Sequence, residues 1–245
     1  MAVHTNPLIT VITVVKNDQK GLLRTIQSVS SRKWPGLEYV VIDGGSSDGS
    51  LEIIRQHKAC IDILISEQDS GVYDAMNKGI VRSSGDYLLF LNSGDELVDD
   101  LDSLSPILAE GYSMVYGKAN MLHEDGTLSY VKGKQLKNIG KLIRGTPLCH
   151  QAILYKRDFI GLYDTDYKII ADRVLTYELI KQYGLARTCF IDRTIANYYE
   201  GGFSRKHEEL WKMEELAFLK TVGKHGYSAY KWLGWHFKKL KGALR

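Results

Sequence analysis

Four carboxylates stand where apolar runs stop, and that placement is the first sign of chemistry in this chain. Asp43 closes Tyr39–Ile42 (YVVI), Glu67 and Asp69 follow Ile61–Ile65, and Asp95 follows Tyr87–Leu91 (YLLFL) through Asn92-Ser93-Gly94. Carboxylates gathered in one crevice repel each other unless something positive joins them. A divalent cation shared with a diphosphate meets that need with oxygen ligands. A fifth acid, Asp172, opens a helical stretch after Ile169-Ile170-Ala171. A carboxylate within about 3 Å of a hydroxyl can take its proton while the oxygen attacks. An acid in the first turn of a helix is also favoured by the helix dipole, so both readings of Asp172 stand at this level. His150 and Gln151 precede a short apolar run and suit hydrogen bonds to a ligand's oxygens, a place in a metal shell, or a structural role. Asp48 reads as a helix cap.

The elements that must position these groups follow from periodicity. Ile9–Val15 (ITVITVV) is β-branched and almost wholly apolar, as a strand buried on both faces should be. Asn17 and Asp18 can cap a following helix whose Leu22, Ile26 and Val29 fall at i, i+4 and i+7. Tyr39–Ile42 is a second strand, and Gly44–Gly49 (GGSSDG) is a turn leading into a helix from Leu51. Ile61–Ile65 is a third strand. A helix over Val72–Ile80 follows, then the strand Tyr87–Leu91. Strands alternating with helices imply a mostly parallel sheet with right-handed crossovers, and ligands then sit beyond the strands' carboxyl ends. Met114–Tyr116 and Ala152–Tyr155 read as further strands of a mixed sheet. Ala171–Tyr183 reads as a helix with a stripe of Val174, Leu175, Leu179 and Ile180, and Lys206–Leu240 as a helical C-terminal section.

Composition narrows the classes. The chain has 245 residues, of which 44% are hydrophobic and 25% charged. Its three cysteines, Cys60, Cys149 and Cys189, form no CxxC pair, which argues against zinc-ribbon and redox chemistry and fits a reducing cytoplasm. No apolar run approaches the roughly 20 residues of a spanning helix, and no signal-peptide pattern is visible at the N-terminus. Net charge is +3, yet residues 227–245 hold Lys231, Lys238, Lys239, Lys241 and Arg245 without an acid, so the body is slightly acidic. That distribution is unlike a nucleic-acid-binding domain. In the tail, Leu233, Phe237 and Leu240 share one helical face, Lys231, Lys238 and Lys241 another, with Trp232 and Trp235 between. Such a helix can lie in an anionic membrane surface or pack on the domain with a solvated basic face.

Four ordered segments carry a resemblance. PLITVITVVKN at Pro7–Asn17, VVIDGGSSDGS at Val40–Ser50, SEQDSGVYDAMNKGI at Ser66–Ile80 and GDYLLFLNSGDEL at Gly85–Leu97 resemble the nucleotide-sugar-binding half of the family 2 glycosyltransferases with the GT-A fold. CHQAILYKR at Cys149–Arg157, KIIADRVLTYEL at Lys168–Leu179 and GGFS at Gly201–Ser204 are similar to the family's bacterial colanic-acid and O-antigen branch. The resemblance implies an α/β GT-A domain over 1–205, with a mixed, mostly parallel central sheet flanked by helices. Within it, 7–115 is the nucleotide-sugar half and 116–205 the acceptor half, and 206–245 is an amphipathic helical extension.

It also implies roles. Thr13, Val14, Asn17, Asp43, Glu67, Asp69, Gly71, Tyr73, Asp74, Asn77, Lys78, Asn92, Ser93, Gly94, His150 and Gln151 would bind the nucleotide sugar. Asp43, a pure acceptor when ionised, would face the N–H edge of a uracil or guanine. Gly44 stands where many relatives have a second acid. Asp74, Asn77 and Lys78, at i, i+3 and i+4, would turn one helix face to ribose or phosphates, or form a solvated face. Asp95 would hold Mn²⁺ or Mg²⁺, with Asn92 and Gly94 where the family's acid–any–acid motif has carboxylates. Asp172 would be the base of an inverting transfer. Ser204, Arg205 and Lys206 beside Gly201-Gly202 would suit a closing loop. The expected partners are a UDP-linked donor and a lipid-linked oligosaccharide acceptor in surface-polysaccharide (O-antigen, lipopolysaccharide or capsule) assembly, at the cytoplasmic face of the inner membrane. No nucleic acid is expected, and the sequence sets no oligomeric state.

Rival classes differ in their motifs. A dinucleotide-binding dehydrogenase needs GxGxxG after the first strand, where this chain has KNDQKG. A P-loop enzyme needs a lysine motif that is absent. A sugar nucleotidyltransferase shares acidic strand ends but carries a glycine-rich basic N-terminal loop. The thinned metal motif also admits a non-catalytic nucleotide-sugar-binding scaffold.

Overall fold

A computed structural model describes residues 8–201, 207–232 and 235. The chain divides into two compact units after Glu200. The first is built on one mixed sheet of nine strands among the described residues, in the order β3-β2-β1-β4-β8-β6-β9-β5, with β7 paired to β6.

β1 (Ile9–Val15), β2 (Leu37–Asp43), β3 (Ile63–Ser66) and β4 (Tyr87–Phe90) are parallel, as their alternation with helices requires. All seven residues of β1 are buried because it lies inside the sheet with a layer on each face. Ile9, Val11 and Val15 pack with Leu22, Ile26 and Val29 of α1 (Gln19–Ser30) and with Ile53 and Ile54 of α2 (Ser50–Gln56). Each such fully buried side chain contributes about 1.5–3 kcal/mol relative to exposure. The opposite face carries α3 (Val72–Arg82). Gly79 lets that helix close on the sheet, since a Cβ there would lie 2.5 Å from Ile12 Cγ2.

Antiparallel pairings gather in the second half, and they bring distant residues to the tip of β4. β8 (Ile153–Lys156) runs against β4 with Leu154 opposite Leu89, so the 3₁₀ turn His150–Ala152 that precedes it lies beside the end of β4. β6 (Met114–Leu122) pairs with β8 and with β7 (Leu128–Lys132). β9 (Thr188–Tyr199) runs parallel to β6 and pairs with the short β5 (Glu96–Leu97). The sequence reading assigned no strand to 188–199, although Phe190, Ile191, Thr194, Ile195 and Tyr198 are strand-forming residues; Asp192 and Arg193 interrupt their alternation.

Two short helices, α4 (Ser105–Ala109) and α5 (Gly140–Arg144), and the longer α6 (Ala171–Tyr183) complete the frame. α6 has the expected limits. Its buried Arg173 donates from Nε to Leu142 O at 2.6 Å and from Nη2 to Ile143 O at 2.7 Å, which binds α6 to the end of α5.

The second unit contains α7 (Glu208–Thr221) and a following helical segment over 225–232. Lys231 Nζ meets the fully buried Glu215 Oε2 at 2.8 Å, and Trp211 and Trp235 lie 6.1 Å apart between ring centroids. Lys231 is therefore held inside this unit. Tyr230 and Trp232 are exposed. The remaining tail residues singled out above (Leu233, Phe237, Lys238, Leu240 and Lys241) and the loop residues Ser204, Arg205 and Lys206 lie outside the described residues. No helix among the described residues is long and apolar enough to cross a membrane.

Candidate active site

The two carboxylates with the clearest chemistry, Asp95 and Asp172, are joined through adjacent residues of one turn. Gln151 Nε2 donates to Asp95 Oδ2 at 2.8 Å. His150 Nδ1 faces Asp172 Oδ2 at 3.4 Å. The two side chains leave the turn in different directions, so it spans the space between the carboxylates. Gln151 is oriented in turn by Cys149, whose Sγ donates to Oε1 at 2.9 Å.

Asp95 is only 5% exposed. Its loop is pinned to α1: Thr25 Oγ1 donates to Asp95 O at 2.7 Å, Gly94 N donates to Thr25 Oγ1 at 3.0 Å, and Arg24 Nη1 donates to Gly94 O. Arg24 also stacks 3.9 Å above the Tyr199 ring, and the Tyr199 hydroxyl donates to Glu96. Ser93 Oγ donates to Asp18, the residue that caps α1. Burial drives the Asp95 carboxyl up to about 8, against the lowering by Gln151, the Tyr199 N–H and Arg24; Asp18 adds to the rise.

The donor set bears on whether a metal fits. Among the described residues no group of three His, Cys, Asp or Glu is placed to hold one. The 92–95 loop does supply two oxygen donors: the Asp95 carboxylate, whose Oδ1 has only a 3.4 Å contact from Tyr199 N, and Asn92 Oδ1, which is buried without a partner. Hard oxygen ligands in this number suit a Mg²⁺ or Mn²⁺ whose other positions are filled by phosphate and water.

Asp172 is fixed at the start of α6, with its side chain 26% exposed. The Tyr73 hydroxyl donates to Ile169 O at 2.7 Å and lies 3.2 Å from Asp172 Oδ1. Thr176 Oγ1 donates to Asp172 O and meets the Tyr155 hydroxyl at 2.7 Å. Burial raises the Asp172 carboxyl, but the hydrogen bond and charge of His150, the Arg173 N–H and the charge of Lys132 outweigh it and hold the group below the ordinary carboxylate value. Phe90 backs the site, with His150, Tyr155 and Tyr163 around it at 6.4, 6.3 and 5.2 Å between ring centroids.

The tips of β1 to β3 form a second cluster. Asp43 is fully buried and accepts from Ser66 Oγ at 2.7 Å and from Ser46 N. Asn17, in a left-handed conformation (φ 53°), donates its N–H to Ser46 Oγ and accepts from Ser47 N, which ties the β1 and β2 tips together. Thr13 is buried beneath them, its Oγ1 accepting from the Tyr39 hydroxyl, and Val14 O accepts from Ser93 N. Asp69 lies 3.7 Å from Lys16 and accepts from Gly71 N. Its carboxylate rests against Gly44, where a Cβ would stand 1.9 Å from Asp69 Oδ2. The missing side chain at Gly44 is thus what seats Asp69.

Other candidates are engaged within the protein. Lys78 pairs with Glu67 at 2.9 Å and donates to Gln68 O, while Asp74 accepts from Ser70 N. Asn77 exchanges both amide groups with the Tyr163 backbone. In this structure the three residues tie their helix to neighbouring loops, and Tyr73 reaches Asp172. Asp48 accepts from Ser50 N and Gln19 N at the starts of two helices, but the cap position of α2 is Gly49 and that of α1 is Asp18, so Asp48 is not itself a cap. Sequence reasoning missed Arg24, Lys132, Tyr199 and the bond from Tyr73 to Asp172. A cleft of about 530 Å³ beside α1 is lined by Lys20, Arg24, Arg32 and Glu96, among others, and by none of Asp43, Asp95 and Asp172.

Comparison with known proteins places this geometry. Residues 10–164 match the model of glycosyl transferase family 2. The chain is 34% identical over 179 residues to an uncharacterized glycosyltransferase of Mycobacterium tuberculosis, covering 68% of this chain and 66% of that protein. It is 30% identical over 229 residues to a PGL/p-HBAD biosynthesis glycosyltransferase of Mycobacterium bovis, covering 89% and 87%. Among solved structures, Staphylococcus aureus TarS 1–349 in complex with UDP superposes with TM-score 0.62 at 17% identity, over 85% of this chain and 65% of that one. The Pyrobaculum calidifontis mannosyltransferase PcManGT in complex with GDP-Man and Mn²⁺ does so with TM-score 0.56 at 16% identity, over 93% and 65%. The sheet is thus the GT-A fold, and with its strand-tip acids falling inside the matched segment the chain belongs to glycosyl transferase family 2.

Proposed function

We propose that this protein transfers a sugar from a UDP-linked donor to an acceptor hydroxyl with inversion at the anomeric carbon. The observation that carries the reading is the pairing of two carboxylates of opposite protonation tendency through His150 and Gln151. Asp172, ionised and partly exposed, takes the acceptor's proton as the acceptor oxygen bonds to the anomeric carbon. The bond from that carbon to the diphosphate oxygen breaks, and its electron pair leaves with UDP. Asp95 and Asn92 would hold Mn²⁺ or Mg²⁺, which supplies charge neutralisation at the leaving diphosphate. Asp43, Asp69 and Gly44 shape the nucleotide end. Support for the donor class comes from relatives of known structure, since TarS is described with UDP and UDP-GlcNAc, and PcManGT with GDP-Man and Mn²⁺.

The proposed acceptor is a sugar on a polyprenyl-diphosphate-linked oligosaccharide, worked on at the inner face of a membrane during surface-polysaccharide assembly. The exposed Tyr230 and Trp232 and the basic residues of 227–245 support that setting. A thermal-shift screen of UDP-, GDP- and dTDP-sugars with Mn²⁺, followed by NMR of the anomeric product, tests the core claim. UDP-sugars should give the largest stabilisation and the product should have the inverted configuration. Retention of configuration, or tight donor binding without any turnover against lipid-linked acceptors, would refute it; the latter outcome describes the scaffold.

A further inference from the structure

His150 has an unusual environment for a residue that merely binds a ligand. Its Nδ1 faces Asp172, whereas its Nε2 is buried and has no hydrogen-bond partner among the described residues. Buried polar atoms are seldom left unpartnered, so the polar function of this ring lies at Nδ1. With a proton on Nδ1 the ring can donate to the carboxylate, whereas a ring protonated only on Nε2 would set two lone-pair-bearing atoms against each other. Because Nε2 reaches no solvent, it cannot meet an acceptor hydroxyl, and His150 is not itself the base. The edge of the ring is kept in place by Phe90.

We propose that His150 is a positioning residue for the transfer step: its Nδ1–H aims the Asp172 carboxylate at the acceptor hydroxyl, and because Gln151 holds Asp95 from the same turn, His150–Ala152 sets the distance from base to diphosphate. This rests on the reading of Asp172 as base. The 3.4 Å separation is long for a hydrogen bond, and such contacts tighten once substrates are bound. The groups around Asp172 are His150 and Cys149 from the turn and its flank, Tyr73 from α3, Lys132 from β7, Tyr155 from β8, and Tyr163. Of these, only His150 presents an N–H to the carboxylate from the turn that also carries Gln151.

The test uses the full-length protein with three replacements. His150→Asn keeps a donor where Nδ1 stands, His150→Gln moves it to the place of Nε2, and His150→Phe keeps the ring contact and removes the donor. The phenylalanine variant should lose about 10–100-fold in kcat, the range expected when a general base is misplaced, with donor KM nearly unchanged. Its kcat–pH profile should have the acid limb moved to higher pH, since a group that favours ionised Asp172 is gone. His150→Asn should recover most of the rate and His150→Gln should not. Equal rates for the asparagine and glutamine variants would overturn the proposal even if the phenylalanine variant failed to fold. So would a rise in donor KM at constant kcat, which marks a donor contact, or a loss of Mn²⁺ binding measured by calorimetry with UDP, which marks a metal ligand. Asp172→Asn run in parallel separates the two levels: if it stays active, the base assignment falls; if it is inactive while all three His150 variants match the parent, only the positioning role falls.

Discussion

Asp95 and Asp172 are anchored to the same turn, yet their surroundings push their protons in opposite directions. Asp95 sits in a loop sealed by α1 and β9, where one amide donor, a distant backbone N–H and a nearby guanidinium do not make up for lost water. Asp172 stands at the opening of a helix, partly exposed, with an imidazole, a helical N–H and a lysine all favouring its charge. The difference teaches that burial alone does not assign a role to an acid. What decides is the balance between desolvation and the donors aimed at it; under the proposed function, the ionised member of the pair would receive the proton and the other would hold the cation.

The comparison breaks most sharply at Asp172. Asp172→Asn keeps the shape and hydrogen-bonding reach but cannot accept a proton, so kcat should fall by about 10²–10⁴ while donor affinity measured by calorimetry is kept. A loss of donor affinity of similar size would move Asp172 into the binding pocket.

A smaller but broader effect is expected at Asp95. Its folded proton affinity lies above the unfolded value, so between about pH 4 and pH 8 the folded state binds more protons than the unfolded one, and the protein free of metal and donor should lose stability as pH rises. Asp95→Asn removes that loss: its melting temperature should match the parent near pH 4 and exceed it near pH 8. The same variant should turn over about 10²-fold more slowly, and the parent should respond alike to EDTA, as several kcal/mol of charge stabilisation at the leaving group would be missing. Matching pH–stability curves for parent and variant would show that the loop is better solvated than its geometry implies.

The finest test separates the two arms of the turn. Gln151→Leu removes the donor to Asp95 and leaves His150 in place. Mn²⁺ affinity in the presence of UDP should drop about tenfold, the lower end for loss of an outer-shell partner, while the acid limb of the kcat–pH profile stays where it was. Movement of that limb would mean that the arms are not independent.

Much of this arrangement is legible in the sequence, because strand-tip acids announce themselves by where apolar runs end. Asp43 ends β2, Asp69 and Asp95 follow β3 and β4, and α6 begins and ends as its apolar stripe predicts. What is not legible comes from pairing across the second half of the sheet. Tyr199 reaches Asp95 only because β9 returns beside β5, 104 residues on, and Tyr73 reaches Asp172 from 99 residues away. Spacing places Asp74, Asn77 and Lys78 near one another on α3. It cannot say that Tyr163 and the 67–70 loop already occupy them. Lys132 escaped notice because it ends an edge strand with little burial to mark it.

Gly44 has a consequence beyond its own size. The seat beside it admits one carboxylate, and Asp69 already fills it. An acid introduced at 44 and Asp69 in its present rotamer are mutually exclusive, so the two positions should vary as a linked pair through evolution. A substitution at one of the two positions alone would leave its partner in a clash or an empty seat.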